Sequence, residues 1–176
     1  MSKNIFVIPK EEIIKIGEEN QIYGYAILSG LKVLANEINN IKKYYKIKYI
    51  YGIDLGCGDG QTIDYFNKYI VNSKWSGIEL SNWRISMSLN PEIIMEGDLL
   101  DISYSEYNFI YINNLAFDDE LCEKIEIKLF NEFNGIILAC KPFHYKKLTS
   151  NSKIIKTIKA DTNWQNNHIF YFYLIN

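Results

Sequence analysis

Apolar positions along the chain change their spacing in a regular order. Ile27, Leu31, Leu34, Ile38, Ile41 and Tyr45 step by four and by three, the repeat of one helix face, which predicts a long helix over 24–46. The run Lys48-Tyr-Ile-Tyr-Gly-Ile-Asp-Leu-Gly56 reads as an apolar strand that ends in a glycine-rich turn. A helix over 61–71 follows, with Ile63, Phe66 and Ile70 on one side. Short strands are expected over 75–80, within 92–99 and over 109–113. Helical spacing returns over 118–133, with Leu121, Ile125 and Leu129 inward. Asp118, Asp119 and Glu120 suit the positive end of that helix, and Asn134-Gly135 stops it. Residues 135–140, 154–159 and 169–175 complete the pattern as strands.

Strands alternating with helices predict an α/β fold: a Rossmann-like, mostly parallel sheet of seven strands with helices on both faces. Only residues 160–168 separate the last two strands, too few for a crossover helix, so these two are expected to pair antiparallel at the C-terminus. The arrangement is similar to that of the class I, S-adenosylmethionine-dependent methyltransferases. That similarity implies that residues 1–46 are an N-terminal helical segment forming part of a cofactor lid, and 47–176 the core.

Composition narrows the class. The chain has 176 residues, of which 48% are hydrophobic and 23% charged, the balance of one ordinary domain with its own core. No apolar run approaches the ~20 residues that span a bilayer, and no membrane partner is expected. The first ten residues hold no long apolar segment ahead of a small-residue cleavage site, so a secretory signal is not expected. Cys57, Cys122 and Cys140 form neither a disulfide framework nor a zinc motif, and His144 and His168 stand apart, so no metal is expected. An intracellular setting, cytoplasm or nucleus, follows from the thiols.

The net charge of -2 hides an asymmetry. Residues 92–132 carry eleven acids and two lysines. Residues 135–160 carry Lys141, Lys146, Lys147, Lys153, Lys156 and Lys159 and no acid. A second basic cluster is Lys42, Lys43, Lys46 and Lys48. Such clusters are either solvated faces or a basic edge that meets phosphate or an acidic partner; weak nucleic-acid contact through the six lysines of 135–160 is one such expectation.

The candidate chemistry starts at Asp54-Leu-Gly-Cys-Gly-Asp-Gly60, where three glycines at alternate positions follow a strand and open a helix. Glycine is needed where the backbone turns tightly close to a ligand. Ligands of such sheets bind beyond the carboxyl ends of the strands. Asp54 is placed to attract a cofactor ammonium. Glu79, nineteen residues after Gly60, is placed to accept from ribose hydroxyls, and Asp98 from an adenine amine. Singly, each has an ordinary alternative: a helix cap, a solvated strand end and a turn former.

Tyr23-Gly24, DLGCGDGQ (54–61), GIE (77–79), GDLL (97–100), INNLAF (112–117) and KPF (141–143) occur in one order. That series resembles the disruptor-of-telomeric-silencing family, the histone-lysine methyltransferases without a SET domain. The resemblance implies S-adenosyl-L-methionine as cofactor, bordered by Tyr23, Asp54, Gly56, Gly58, Gln61, Glu79, Asp98, Leu99 and Asn113. It implies that Asn113 lies beside the transfer point, with Phe117 and Tyr171 as walls of the channel that admits the acceptor lysine. Trp164, seven residues before Tyr171, is a further echo. Histone or nucleosome, or another basic protein, is the implied partner. Where the family pattern has an acid and a hydroxyl residue after Tyr23-Gly24, this chain has Tyr25 and Ala26, and residues 81–91 form a short connection. Two other readings stand beside this one. A nucleic-acid amino-methyltransferase carries an Asn/Asp-Pro-Pro-aromatic tetrapeptide where Asn113-Asn114-Leu115-Ala116 stands, but both prolines are absent here. A catalytically idle binding module need not keep Asp54, Glu79 and Asp98.

Overall fold

The structure is a computed structural model that describes residues 4–175, without the side chains of 147–149. Its elements are α1 (Lys10–Ile16), α2 (Leu28–Tyr44), β1 (Ile50–Leu55), α3 (Gln61–Tyr69), β2 (Ser73–Glu79), α4 (Asn82–Ile85), β3 (Ile94–Glu96), β4 (Phe109–Ile112), α5 (Asp119–Glu132), β5 (Gly135–Ala139), α6 (Lys146–Asn151), β6 (Ser152–Ala160) and β7 (His168–Ile175). One seven-stranded sheet has the order β3-β2-β1-β4-β5-β7-β6. Strands β1 to β5 pair in parallel, and β7 runs antiparallel to both β5 and β6. The strand order reverses between β1 and β4, which leaves a crevice beyond their carboxyl ends.

Side chains alternate across the strands, so each face of the sheet builds its own core. On one face Leu34 and Ile38 of α2 and Phe66 of α3 pack with Trp75, Phe109 and Phe170. On the other, Ile125 and Leu129 of α5 pack with Ile53, Leu55, Ile110 and Ile137. Helices therefore cover both faces, as the alternation of periods implied. The long helix starts at Leu28 rather than at Gly24, because the preceding backbone is spent elsewhere. Ile27 N–H donates to Asp161 O and Asn163 N–H to Tyr25 O, so residues 25–27 run beside the turn that follows β6. Helix α2 is a layer of the core, and only the segment ahead of it crosses the crevice.

Three short helices escaped the periodicity, because a helix of one or two turns shows no readable repeat. Helix α1 docks on the start of α4: the Glu12 carboxylate accepts from Ser81 Oγ (2.9 Å) and from Trp83 N–H (3.2 Å). The lysines of 135–160 are spread over β6, α6 and the loop that follows β5. Lys153, Lys156 and Lys159 lie on the outermost strand β6, where charge discourages pairing with another chain. Lys156 pairs with Glu37 (2.7 Å) and Lys141 with Asp119 (3.2 Å). The side chain of Lys147 lies outside the described residues. Among the described residues no helix is long and apolar enough to cross a membrane, and no group of His, Cys, Asp and Glu could hold a metal.

Candidate active site

Strand β1 leaves the sheet into the turn 56–60, in which Gly56, Gly58 and Gly60 all have left-handed backbone (φ 79°, 60° and 79°). A side chain is strained in that region, so the turn requires its glycines. Space makes the same demand at Gly58, where a Cβ would lie 2.3 Å from the ring of Tyr23. The Tyr23 hydroxyl reaches Cys57 O and Asp59 Oδ1, both at 3.4 Å, and closes over the turn. Burial, reinforced by the carboxylates of Asp59, Asp54 and Glu79, pushes that phenol well above its usual range.

A cavity of about 640 Å³ opens beside this turn, at the carboxyl ends of β1, β2 and β4. That volume falls in the range of roughly 300–1,000 Å³ typical of small-molecule sites. Tyr23, Gly56, Glu79, Asp98, Leu99, Asn113 and Phe117 all line it. Seven of the residues expected at a site are thus brought together by five separate segments.

Glu79, the last residue of β2, is buried and firmly held. One oxygen accepts from Gly58 N–H (2.8 Å) and the other from Ser81 N–H (3.0 Å) and from Arg84 Nη1 (3.4 Å). A carboxylate offers about four acceptor positions, so these three donors fix its direction and leave capacity for a ligand hydroxyl. Asp98 is exposed, and one of its oxygens accepts from Leu100 N–H (2.8 Å). The second oxygen keeps its acceptor capacity. Asn113 follows β4, and its Nδ2 donates to Gly24 O (2.7 Å). That bond commits the amide nitrogen to the N-terminal segment and leaves Oδ1 as an acceptor. Phe117 lies over Gly56, its Cζ 3.4 Å from where a Cβ would stand.

Four expected residues sit differently. Asp54 is buried at the end of β1 beneath the glycine turn and does not line the cavity. Burial raises its carboxyl well above the usual range, and the charges of Glu79 and Asp59 add to the effect. Gly58 is covered by Tyr23. Gln61, the first residue of α3, is exposed and donates to Asp59 Oδ2 (2.8 Å), away from the cavity wall. Tyr171, on β7, pairs with Ala139 of β5 and packs with the α5-side core, its ring 6.5 Å from that of Tyr173. The strand alternation that sends Phe170 and Phe172 to the α2 side sends Tyr171 to the other, where it packs with the core and does not line this cavity. Trp164, in the turn between β6 and β7, lines the cavity, and a Cβ on Gly24 would meet its indole at 2.6 Å.

Two residues were not anticipated. Arg84 lines the cavity, and it is the chain's only arginine among eighteen lysines. It is buried, faces Glu79, donates from Nη2 to Gln21 O (2.8 Å) and places its guanidinium carbon 5.1 Å from the Tyr23 ring centroid. Its uniqueness, five positions after a strand-end acid, was the available signal. Asn114 is buried, and its amide forms two bonds with the main chain of Lys141: Lys141 N–H to Oδ1 (2.8 Å) and Nδ2 to Lys141 O (3.3 Å). It ties the 112–117 motif to the 141–143 motif, two sequence features that had no visible link.

The mouth of the cavity is acidic. Glu19, Asp98, Asp118 and Glu120 stand among its lining residues, and the cation at this rim, Lys124, pairs with Glu120 (2.7 Å). The walls between are apolar, with Leu99, Leu115, Phe117 and Leu121.

No protein-family model matches the sequence, and no curated protein matches it. Solved structures do match in three dimensions. Magnesium protoporphyrin IX methyltransferase from Synechocystis PCC 6803, with SAM bound, aligns over 99% of this chain and 99% of its own at TM-score 0.61 and 11% identity. A SAM-dependent methyltransferase from Aquifex aeolicus aligns over 83% of this chain and 97% of its own at TM-score 0.54 and 12% identity. The plantazolicin methyltransferase BpumL, in complex with a triazolic desmethylPZN analog and SAH, aligns over 64% of this chain and 47% of its own at TM-score 0.54 and 20% identity. Their printed acceptors differ, so what they share with this chain is architecture: the protein has the fold of the SAM-dependent methyltransferases.

Proposed function

We propose that the protein is an S-adenosylmethionine-dependent methyltransferase that acts on a lysine amine of a histone or another basic protein. The observation that carries the reading is the convergence of Glu79, Asp98 and Asn113, each leaving a different strand, on one cavity beside the glycine turn. The residues fit a sulfonium nucleoside. Glu79 keeps acceptor capacity for ribose hydroxyls, and Asp98 has an oxygen for an amine of the base. The left-handed turn keeps side chains away from Gly56, so that a ligand can approach its backbone. S-Adenosylmethionine supplies an activated methyl group when bound.

The remaining work belongs to this chain's side chains. An ammonium has no lone pair, so a lysine acceptor must lose a proton before it reacts. The apolar wall of Leu115, Phe117 and Leu121 favours that loss, because desolvation disfavours the charged form. Asn113 Oδ1, held by the Nδ2 bond to Gly24, accepts from the amine and directs its lone pair. The acidic mouth supports a cationic acceptor, since opposite charge concentrates it at the entrance. The resemblance of INNLAF (112–117) and KPF (141–143) to the non-SET histone-lysine methyltransferases supports the same acceptor, and the Asn114–Lys141 bonds give the two motifs a common structural purpose. In this reading residues 4–27 form the lid.

The test is transfer of labelled methyl to nucleosomes, free histones, other basic proteins and RNA in parallel, with mass analysis of the product. Label on lysine of a basic protein, lost in Asn113→Ala with cofactor binding largely retained, is the expected result. Label on RNA alone, or no binding of S-adenosylmethionine by calorimetry, overturns it.

A further inference from the structure

We propose that the end of the sheet opposite the cavity is a docking surface for single-stranded nucleic acid. The sequence Lys42-Lys-Tyr-Tyr-Lys-Ile-Lys-Tyr-Ile-Tyr51 crosses from the end of α2 into β1, and residues 38–53 contain no acid. The fold turns this stretch into a surface. A concavity of about 330 Å³ lies between the last turns of α2 and the turn at 71–72, where β2 begins. Lys42, Lys43, Lys46 and Lys48 line it together with Asn39 and Asn72, and no carboxylate does.

The four lysines divide in role. Lys42 is buried, and its ammonium donates to the carbonyls of Val71 and Asn72, so it braces the concavity. Lys43, Lys46 and Lys48 are exposed, and among the described residues no carboxylate pairs with them. The acid nearest in sequence on α2, Glu37, is engaged by Lys156. This sets the cluster apart from Lys141 and Lys156, which are already neutralised.

Positive charge alone suits any polyanion. The aromatic rings decide between them. Tyr44, Tyr49 and Tyr51 are 79%, 39% and 53% exposed. They stand in two pairs, Tyr44 with Tyr45 at 5.0 Å between centroids and Tyr49 with Tyr51 at 4.8 Å. Lys74 of β2 lies in register beside Tyr51. Tyr44 and Tyr45 close α2 between Lys43 and Lys46, while Tyr49 and Tyr51 share the face of Ile53, on the other side of the sheet from the concavity. A flexible strand of unpaired bases that passes round this end of the sheet meets both ring pairs, with bases stacking on the rings while phosphates meet the ammonium groups. A duplex keeps its bases stacked on each other, and an acidic polypeptide has nothing to place on the rings. Because β1, β2 and β4 begin here and the cavity lies at their far ends, a bound strand is a tether and not the methyl acceptor. The inference does not depend on the proposed reaction.

Fluorescence anisotropy of the full chain tests it, with a labelled oligo-uridine of about 20 nucleotides, a duplex of equal length and a poly-glutamate peptide as probes. The single strand is expected to bind at least tenfold more tightly than either other probe. The combined Lys43→Ala, Lys46→Ala, Lys48→Ala variant should flatten the salt dependence of log affinity by about two units, at roughly 0.7 per lost phosphate contact. Tyr44→Leu with Tyr49→Leu should erase the preference over duplex. The single variant Lys46→Glu, at an exposed position, repeats the electrostatic test with one substitution. No binding to the single strand, equal binding to poly-glutamate or duplex, or affinity unmoved by these variants overturns the proposal.

Discussion

Asp54 shows how one residue can hold both a structural and a functional reading. In sequence it is the last acid before a glycine turn, and it stands there, but it is buried beneath the turn instead of lining the cavity. Burial first, and the neighbouring charges of Glu79 and Asp59 second, raise its carboxyl well above the usual range. The folded protein therefore holds a proton in a pH window where the unfolded chain has released it. Stability falls as pH rises from the unfolded pKa through the raised one. A cofactor ammonium that reached Asp54 through the turn covering it would reverse the preference by favouring the charged form. Calorimetric titration of S-adenosylmethionine inside that window, in buffers of different ionisation heat, should show release of up to about one proton per cofactor bound. Asp54→Asn should abolish the release. Binding with no proton release in the native protein would remove Asp54 from contact with the ammonium. The identity of such residues was legible, because acids after strands follow a simple positional rule. Their exposure was not legible, because it depends on Tyr23, thirty-one positions away, folding over the turn.

Between elements, the connection that matters most passes through Arg84. Its guanidinium joins the end of β2 at Glu79 to the N-terminal segment at Gln21 O and Tyr23. The ion pair has side-chain exposures of 5% and 4%, so losing one partner leaves a buried charge with less support. Arg84→Met is expected to lower unfolding free energy by about 1.5–3 kcal/mol, the range for a hydrogen bond to a charged group. It should also speed amide exchange over residues 18–24 and weaken S-adenosylmethionine binding, with Arg84→Lys intermediate because lysine lacks the planar fork. Unchanged exchange over that segment would mean that Arg84 serves Glu79 alone. The sequence showed the long elements because burial imposes a period on them: α2, α5 and all seven strands fall within a few residues of the expected bounds. It did not show α1, α4 and α6, which are held by particular contacts such as Glu12 to Ser81, and such contacts leave no period. Tyr171 and Trp164 mark the same limit. Both lie near the last hairpin; the turn before β7 carries the tryptophan to the cavity against Gly24, and the pleat of β7 turns the tyrosine to the α5-side core.

At the scale of the whole molecule, a net charge of -2 is divided between two ends of one sheet. Acids gather where the strands finish, at the rim formed by Glu19, Asp98, Asp118 and Glu120. Unpaired lysines gather where the strands begin. The acidic rim should raise the local concentration of a cationic acceptor without forming a fixed bond to it, and a diffuse field of that kind is screened over about 8–10 Å at physiological salt. Under the proposed reaction, methyl transfer to a lysine-rich peptide is therefore expected to lose several-fold in kcat/KM between about 50 mM and 300 mM salt, through KM and with kcat nearly constant. Glu19→Lys together with Asp118→Asn, two changes away from Glu79 and Asn113, should reproduce the loss at low salt and flatten the salt dependence. Charge reversal at Lys43, Lys46 and Lys48, at the far end, should leave both constants unchanged, since distant sites with no shared partners act independently. A kcat/KM indifferent to salt, or a rim variant indistinguishable from the native protein, would transfer acceptor selection from the charged mouth to the apolar wall formed by Leu115, Phe117 and Leu121.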